Sequence, residues 1–404
     1  MTHVTHEDRS YRALLTVPYL ARLVLGMQIA RIAQSMVGVT IVLFTLKAYN
    51  SATLSGIATF FGIFPGLLLS PIAGALLDRH GRTRLVALDY FIALVCLSAL
   101  GVLALLGTLP GWLLVVIVGI ASLTAPLSAT GVRSLFPLIV PRHLWERVNA
   151  MDSTGYVLAT IVGPSLAGGL VAVLGGALTF IAIGLSYGFA AIIIARAPEP
   201  SAKTVSTGRL VADSWKGLIY TWQHRTLRGL GFSISVLNIS NGTLTIVVPL
   251  ILLQRFHLGE TFVGLVIAVQ GVTGVMSAFL FGRMDSENRE RRMLAVPMSM
   301  IGITIAILLW PLNVLVVLLV MAITGFLNGP IDIALFTLRQ RRTDPSWTGR
   351  AFAVSMAFNY AGVPIGSGLA GVMASHSIEA AIVFGAVASF ASAILAVAMV
   401  PSTE

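Results

Sequence analysis

Long apolar blocks, separated by short charged knots, run the whole length of this chain and leave it few folds to choose from. A block of ~20 apolar residues pairs its own backbone groups as a helix and crosses a hydrocarbon core of ~30 Å. Composition agrees. Of 404 residues, 56% are hydrophobic and 10% charged, and the mean hydropathy is +0.91, whereas a soluble domain carries about 25% charged residues. A soluble body of this size needs a charged surface that this chain cannot supply. A secreted domain, a soluble enzyme on a membrane anchor and an outer-membrane barrel, whose strands alternate polar and apolar residues, are excluded. The expected class is an all-α polytopic membrane protein.

Breaking the sequence at its polar knots predicts twelve transmembrane helices, at 19–46, 53–77, 85–107, 112–136, 150–172, 175–195, 227–253, 261–282, 293–310, 313–338, 351–373 and 378–400. The paired blocks on either side of Gly175-Gly176 and of residues 311–313 are each too long for one crossing and are divided there. Residues 1–12 are polar, and no small-residue cleavage site follows the next apolar block, so that block reads as a span and not as a cleaved signal.

Arginine and lysine orient the spans. One set of alternate loops holds Arg79, Arg82 and Arg84, then Arg142 and Arg147, then Arg289, Arg291 and Arg292, then Arg339, Arg341, Arg342 and Arg350. The central segment 196–226 adds Arg196, Lys203, Arg209, Lys216 and Arg225, while the opposite face has Lys47 and Arg255. Short basic loops stay in the cytoplasm, so both termini and segment 196–226 are expected inside, and 47–52 and 254–260 outside. The formal charge of +10 is then mostly topology, and no nucleic-acid partner is expected. Cys96 is the single cysteine, which excludes an intrachain disulfide and a thiolate metal cluster.

Segment 196–226 divides the chain into a six-helix bundle at 1–195 and a second at 227–404. Its first part, with Pro198, Glu199 and Pro200, reads as linker. Within 209–224, Val211, Trp215, Leu218 and Trp222 share a helical face; such a helix lies on the membrane surface or against the protein's own loops. The halves echo each other: Pro126 with Pro330 and Pro141 with Pro345, then Pro164 with Pro364 and Gly168 with Gly368. Two pseudo-symmetric six-helix bundles fit such a duplication.

The loop after the second span carries Gly74, Asp78, Arg79, Gly81, Arg82 and Arg84. It resembles the signature of the major facilitator superfamily, G-x-x-x-D-R-x-G-R-[RK]-[RK], with Thr83 as the one departure. Gly163, Pro164, Gly168 and Gly169 in the fifth span resemble the G-P-x-x-G-G element of the superfamily's exporters, with Ala167 at the first glycine of the closing pair. The stretch from Arg133 through Pro137 to Pro141, followed by Asn149 and Ala150, is similar to the macrolide-exporter and secretion-effector-like branch of bacterial efflux proteins. The resemblance implies a fold of two bundles that rock about a central site, in a bacterial inner membrane. It implies that Asp78, with Arg79, Gly81 and Arg82, gates the cytoplasmic side against the start of the eleventh helix near Arg350. Without the resemblance, those basic residues read as topology anchors, Gly81 as a tight turn, and Gly163, Pro164, Gly168, Gly169, Pro364 and Gly368 as close helix packing with local bends.

Few polar groups enter the apolar blocks. Arg31, at a cost of ~2.5–3.5 kcal/mol near a helix centre, must face the bundle interior and pair there, with Gln34 one turn away. It serves either the substrate and coupling or interhelical pairing. Asp332 is the leading candidate for a proton carrier, with a gate or structural pair as the alternative. Asp152 is a candidate gate near the inner face, against local bonding at a helix start. Asn238, Asn241, Gln270 and Asn359 can bond a guest or join helices.

No phosphate-cradling glycine loop with lysine occurs, and the histidines lack the spacing of a metal motif, so neither cofactor nor metal is expected, and no enzyme activity. The expected function is secondary active transport: proton-coupled efflux of a small amphiphilic or hydrophobic compound by alternating access, by a monomer among membrane lipids. The alternative is an importer or facilitator of a small metabolite.

Overall fold

A computed structural model describes residues 10–197, 199, 219–282, 289–310, 313–343 and 348–401, with the backbone alone at Pro71, Gly74, Ala75, Asp78, Glu146 and 348–353. The amphipathic stretch anticipated at 209–224 lies outside the described residues as far as 218; residues 219–223 are helical.

Among the described residues, ten helices are long and apolar enough to cross a membrane. The 51-residue helix Trp145–Ala195 holds two crossings, span five before Gly175 and span six after it, because Gly175 has φ 79° and ψ 162°, a backbone that breaks the helix and that only glycine adopts freely. Thr348–Tyr360 and Gly362–Ala374 meet end to end and form another crossing. Twelve spans result among the described residues. The first is Leu20–Ala48, the fourth Gly111–Ile139, the eighth Glu260–Phe281 and the tenth Val314–Arg342. Span two consists of Ala52–Phe61 and Phe64–His80, the second part with proline in its first turn, where the missing N–H costs nothing. Span seven, Arg225–Leu250, ends in a π turn at Ile251–Arg255 that follows Pro249. Asn313 caps span ten by accepting from Val316 N at 2.9 Å.

Burial separates the spans into two bodies. One apolar core draws its buried residues from Leu14 to Ala197. The other runs from Leu230 to Val400 and takes in Val42, Leu43, Leu46, Ala52 and Val171 of the first half. Leu106, Val173, Phe279 and Trp310 stand exposed on the perimeter, as lipid-facing residues must.

The two ends of the molecule differ. Arg147 lies over the Tyr11 ring, 5.2 Å from its centroid, and Arg342 donates to Pro401 O at 3.1 Å, so both ends of the described chain sit with the arginine loops. At the opposite end the halves are joined. Lys47 pairs with Glu260, and Gln254 Nε2 donates to Asn50 Oδ1 at 3.3 Å.

Candidate functional site

The two halves touch most closely where glycines let backbones meet. A Cβ added at Gly56 would stand 2.9 Å from Gly371 Cα, and one at Gly168 3.1 Å from Gly264 Cα. These crossings join span two to span eleven and span five to span eight, toward the Lys47 end. Beyond them, toward the arginine loops, the halves part. Arg133 and Tyr156 of the first half and Asp332 and Tyr360 of the second are exposed in the resulting cleft. Tyr156 and Tyr360 adjoin each other across it, and Asp332 and Arg133 lie close enough to act on Tyr360.

Behind the first wall lies a charged network. Arg31 Nη2 donates to Asp152 Oδ1 at 2.6 Å and its Nη1 to Asp152 O at 3.0 Å. Arg133 Nε donates to the other carboxylate oxygen at 3.0 Å. The Arg31 and Asp152 side chains are 16% and 10% exposed, whereas Arg133 is 53% exposed. Asp152 thus uses both oxygens on charge-assisted bonds, with the geometry that a buried pair requires. Tyr156, one turn beyond Asp152 on the same helical face, puts its ring under both guanidinium groups, 6.0 Å from Arg31 and 5.9 Å from Arg133. Gly155 makes room: a Cβ there would meet Gln28, whose amide donates to Gly155 O at 2.9 Å. The acid that Arg31 requires is therefore Asp152. Instead of bonding locally at its helix start, Asp152 reaches from span five to spans one and four.

Gln34 stands apart from that network. Its Oε1 accepts from the Tyr187 hydroxyl at 2.6 Å, and it lines a small cavity inside the first half. In the second half, amides stitch helices. Asn238 Nδ2 donates to Asn359 O at 2.9 Å, and Asn241 Nδ2 to Asn238 Oδ1 at 3.0 Å. With the Asn359 amide turned as its neighbours require, its oxygen accepts from Arg339 Nη2 at 2.8 Å and its nitrogen donates to Ser355 O at 3.1 Å. Asn359 and Arg339 are buried. Gln270 is half-buried on span eight, beside the packing of Gly271 on Ile161 of span five.

The signature loop is built around a carboxylate. Gly81 has φ 97°, and an added Cβ would stand 3.1 Å from the Glu199 carboxyl. Glu199 accepts from the backbone N–H of Arg82 at 2.6 Å, Thr83 at 2.9 Å and Arg84 at 3.4 Å. Span three, Arg82–Leu105, has no cap of its own side chains, so an acid from the segment after span six satisfies its orphan donors. Arg82 Nη1 also donates to Ser134 O of span four at 2.8 Å. Arg79 is exposed. The side chains of Asp78 and Arg350, and hence the gate contact expected between them, lie outside the described residues.

The packing elements are sharper than their sequence pattern. Gly163 faces Ser35 and Ile32 of span one, and the carbonyl of Pro164 meets Gly264. Gly169 is a correction: a Cβ there would meet nothing within 4 Å, so the pair's second glycine serves no close approach. Gly368 makes ordinary contact with Phe60 at 3.5 Å, while its neighbour Gly371 carries the crossing with Gly56. Pro364 is buried just past the break between the two parts of span eleven.

The sequence assigns no site role to Tyr156, Tyr360 or Glu260, and it places Arg133 only in the exporter-like stretch and Glu199 only in the linker. Arg133 had a signal, a lone base within an apolar span. Tyr156 had another, its i+4 spacing from Asp152. The tyrosine pair and the Glu199 cap bring together distant parts of the chain and leave no local mark. Among the described residues, no group of three histidine, cysteine or acidic side chains is arranged to hold a metal.

A two-bundle, twelve-span body with a polar-lined cleft shut at one end defines a membrane transporter. The Major Facilitator Superfamily profile matches residues 23–354 and 229–404, and the chain belongs to that superfamily, whose members are not enzymes. It is 34% identical to the uncharacterized MFS-type transporter y4rN of Sinorhizobium fredii, over 97% of each chain. It is 25% identical to the multidrug efflux pump Tap of Mycolicibacterium fortuitum, over 83% of this chain and 85% of the relative. It is 22% identical to macrolide efflux protein A of Streptococcus pyogenes, over 87% and 88%. The fold is similar to the nucleoside transporter NupG, with a TM-score of 0.75 and 11% identity over 94% of this chain and 100% of that one.

Proposed function

We propose that this transporter exports a small amphiphilic or hydrophobic compound in exchange for protons, by alternating access of a central cleft. The observation that carries the reading is the cleft itself, with Arg133 and Tyr156 on one wall, Asp332 and Tyr360 on the other, and its far end shut by glycine crossings and the Lys47–Glu260 pair. The two tyrosine rings offer apolar faces with polar tips, suited to an amphiphile. Efflux is the direction supported by the relatives named for multidrug and macrolide export. The arginine bias supports a cytoplasmic position for the open end, for both termini and for segment 196–226, between bundles at 1–195 and 227–404, in a bacterial inner membrane.

Asp332 is exposed in the cleft and is the group assigned to the proton. A carboxylate there draws a proton from the side to which the cleft opens, and releases it as the compound takes its place. The Arg31–Asp152–Arg133 network holds a fixed positive wall opposite, which disfavours a second cation at the same time. Coupling needs only that proton and compound favour different states of the same body. Asp78 and Arg350 are assigned to the gate that closes the arginine-loop end in the outward-open state, and the protein works as a monomer.

Proteoliposomes with an imposed pH gradient test this, using a macrolide and other amphiphiles as trial compounds. Gradient-driven movement by wild type, lost in Asp332→Asn with binding retained, is expected. Movement unchanged by collapse of the gradient identifies a facilitator and overturns the coupling; uptake of a small metabolite in place of amphiphile export overturns the direction.

A further inference from the structure

Asp89 has no part in the cleft. It lies in span three and is only 3% exposed. No ion pair joins it to a lysine, arginine or histidine among the described residues. The hydroxyls of Thr124 and Ser128 on span four stand beside its carboxyl group. The other titratable groups facing it are the phenols of Tyr90, its chain neighbour, and Tyr187 of span six, both buried. Arg31 acts on Tyr90 from span one, but its guanidinium is committed to Asp152. An anionic carboxylate in such a place has two hydroxyls to bond it but no protein cation to offset its desolvation.

The carboxyl group borders the cavity that Gln34 lines, which also has Ser122, Tyr187 and the break of span two at Gly62 in its walls. Its volume is about 40 Å³, larger than the ~10–15 Å³ that one water needs. Ser122 shares its one hydrogen between Gly119 O at 2.8 Å and Phe61 O at 2.9 Å, and the Ser128 and Thr124 hydroxyls also lie 3.2 Å from Ala125 O and 3.4 Å from Ala121 O. Ser128 and Thr124 also hydrogen-bond the Asp89 carboxyl, and each hydroxyl can rotate to donate to the acid or to offer its lone pairs to a guest. A carboxylate with hydroxyl oxygens and room for a small guest is a hard-cation environment.

We propose that Asp89 is the centre of a monovalent-cation site inside the first half, occupied by a proton or by a sodium ion and separate from the cleft. Occupancy neutralises the carboxylate where no protein cation does. Its test is a binding measurement, so the site stands or falls independently of the compound transported and of Asp332.

The purified full-length protein, with Asp89→Asn and Ser128→Ala beside it, is followed by thermal unfolding. Sodium chloride is titrated against choline chloride at alkaline pH, and pH is then lowered without sodium. A guest that binds only the folded state raises Tm saturably. If sodium is the occupant, Tm of wild type rises with sodium and the rise is lost in Asp89→Asn. If the proton is the occupant, Tm rises only as pH falls, and the difference between wild type and Asp89→Asn isolates the part due to this carboxyl. Ser128→Ala keeps the acid and is expected to shift half-saturation by sodium several-fold upward, or to leave a proton response in place. Should Asp89→Asn fail to fold, the infrared carbonyl band of a protonated carboxyl in wild type gives the readout: it must vanish on adding sodium or on raising pH. A wild type that responds to neither cation, a response kept whole in Asp89→Asn, or a band that neither sodium nor pH alters would each overturn the site.

Discussion

The two halves share a backbone plan and differ in what holds them together inside. The first is braced by charge, with Asp152 clamped between Arg31 and Arg133 over the Tyr156 ring. The second is braced by amides, with Asn238, Asn241 and Asn359 linking span seven to span eleven and on to Arg339. Each network closes within its own half. Halves braced in this way can rock as bodies while keeping their strongest bonds, and the contacts left to change between them are weak ones: glycine crossings, a tyrosine pair and the Lys47–Glu260 pair. In the proposed mechanism the duplicated architecture sets the motion, whereas unequal chemistry gives each wall of the cleft its own task.

The sharpest way to break this contrast is to remove the central carboxylate. Asp152→Asn leaves Arg31 unmatched, and breaking a buried pair costs about 3–5 kcal/mol, so a marked drop of Tm in detergent is expected together with loss of transport. Replacing Arg31 and Asp152 together by leucine should restore most of the Tm and none of the transport. A single variant with unchanged Tm would show that the charge network does not brace the first half.

The next effect concerns the seam between halves. Gly56→Val places carbon against the Gly371 backbone, and overpacking of this kind costs about 1–3 kcal/mol. The expected outcome is a seam forced open at the Lys47 end with both internal networks intact. Labelling of a cysteine placed at position 50, in a protein with Cys96 replaced, should rise in the variant.

Amides hold less than charges. Asn238→Ala removes bonds within the membrane that average ~0.6 kcal/mol and reach ~1.7 kcal/mol, so its Tm should fall far less than that of Asp152→Asn. A loss equal to that of the charge variant would erase the distinction between the halves. Smallest of all is Glu260→Gln. Its partner Lys47 is 66% exposed, and such pairs contribute about 0–1 kcal/mol. The expected change is a modest shift in the populations of the two states, read by a distance probe across the Lys47 end, with Tm nearly constant.

Much of the fold was legible because membrane insertion is a local decision. Each span had to bury its own backbone groups, so Leu20–Ala48 or Val314–Arg342 could be recognised from length and apolarity alone. The break at Gly175 followed from the length of the block around it. The signature loop and the need for an acid opposite Arg31 were legible for the same reason: a bare guanidinium in a span demands a partner. Which acid answered, Asp152 on span five and not another, was set by packing, since the chain separation between Arg31 and Asp152 carries no register. Glu199 under Gly81, the Tyr156–Tyr360 pair and the Gly56–Gly371 crossing were likewise decided in three dimensions. The sequence by itself determined the spans, their alternation and the presence of a charge that had to be matched, because lipid judges each segment separately. Only the tertiary structure decided which groups meet in the cleft and which end is shut, because those contacts form between helices after each has satisfied its own backbone.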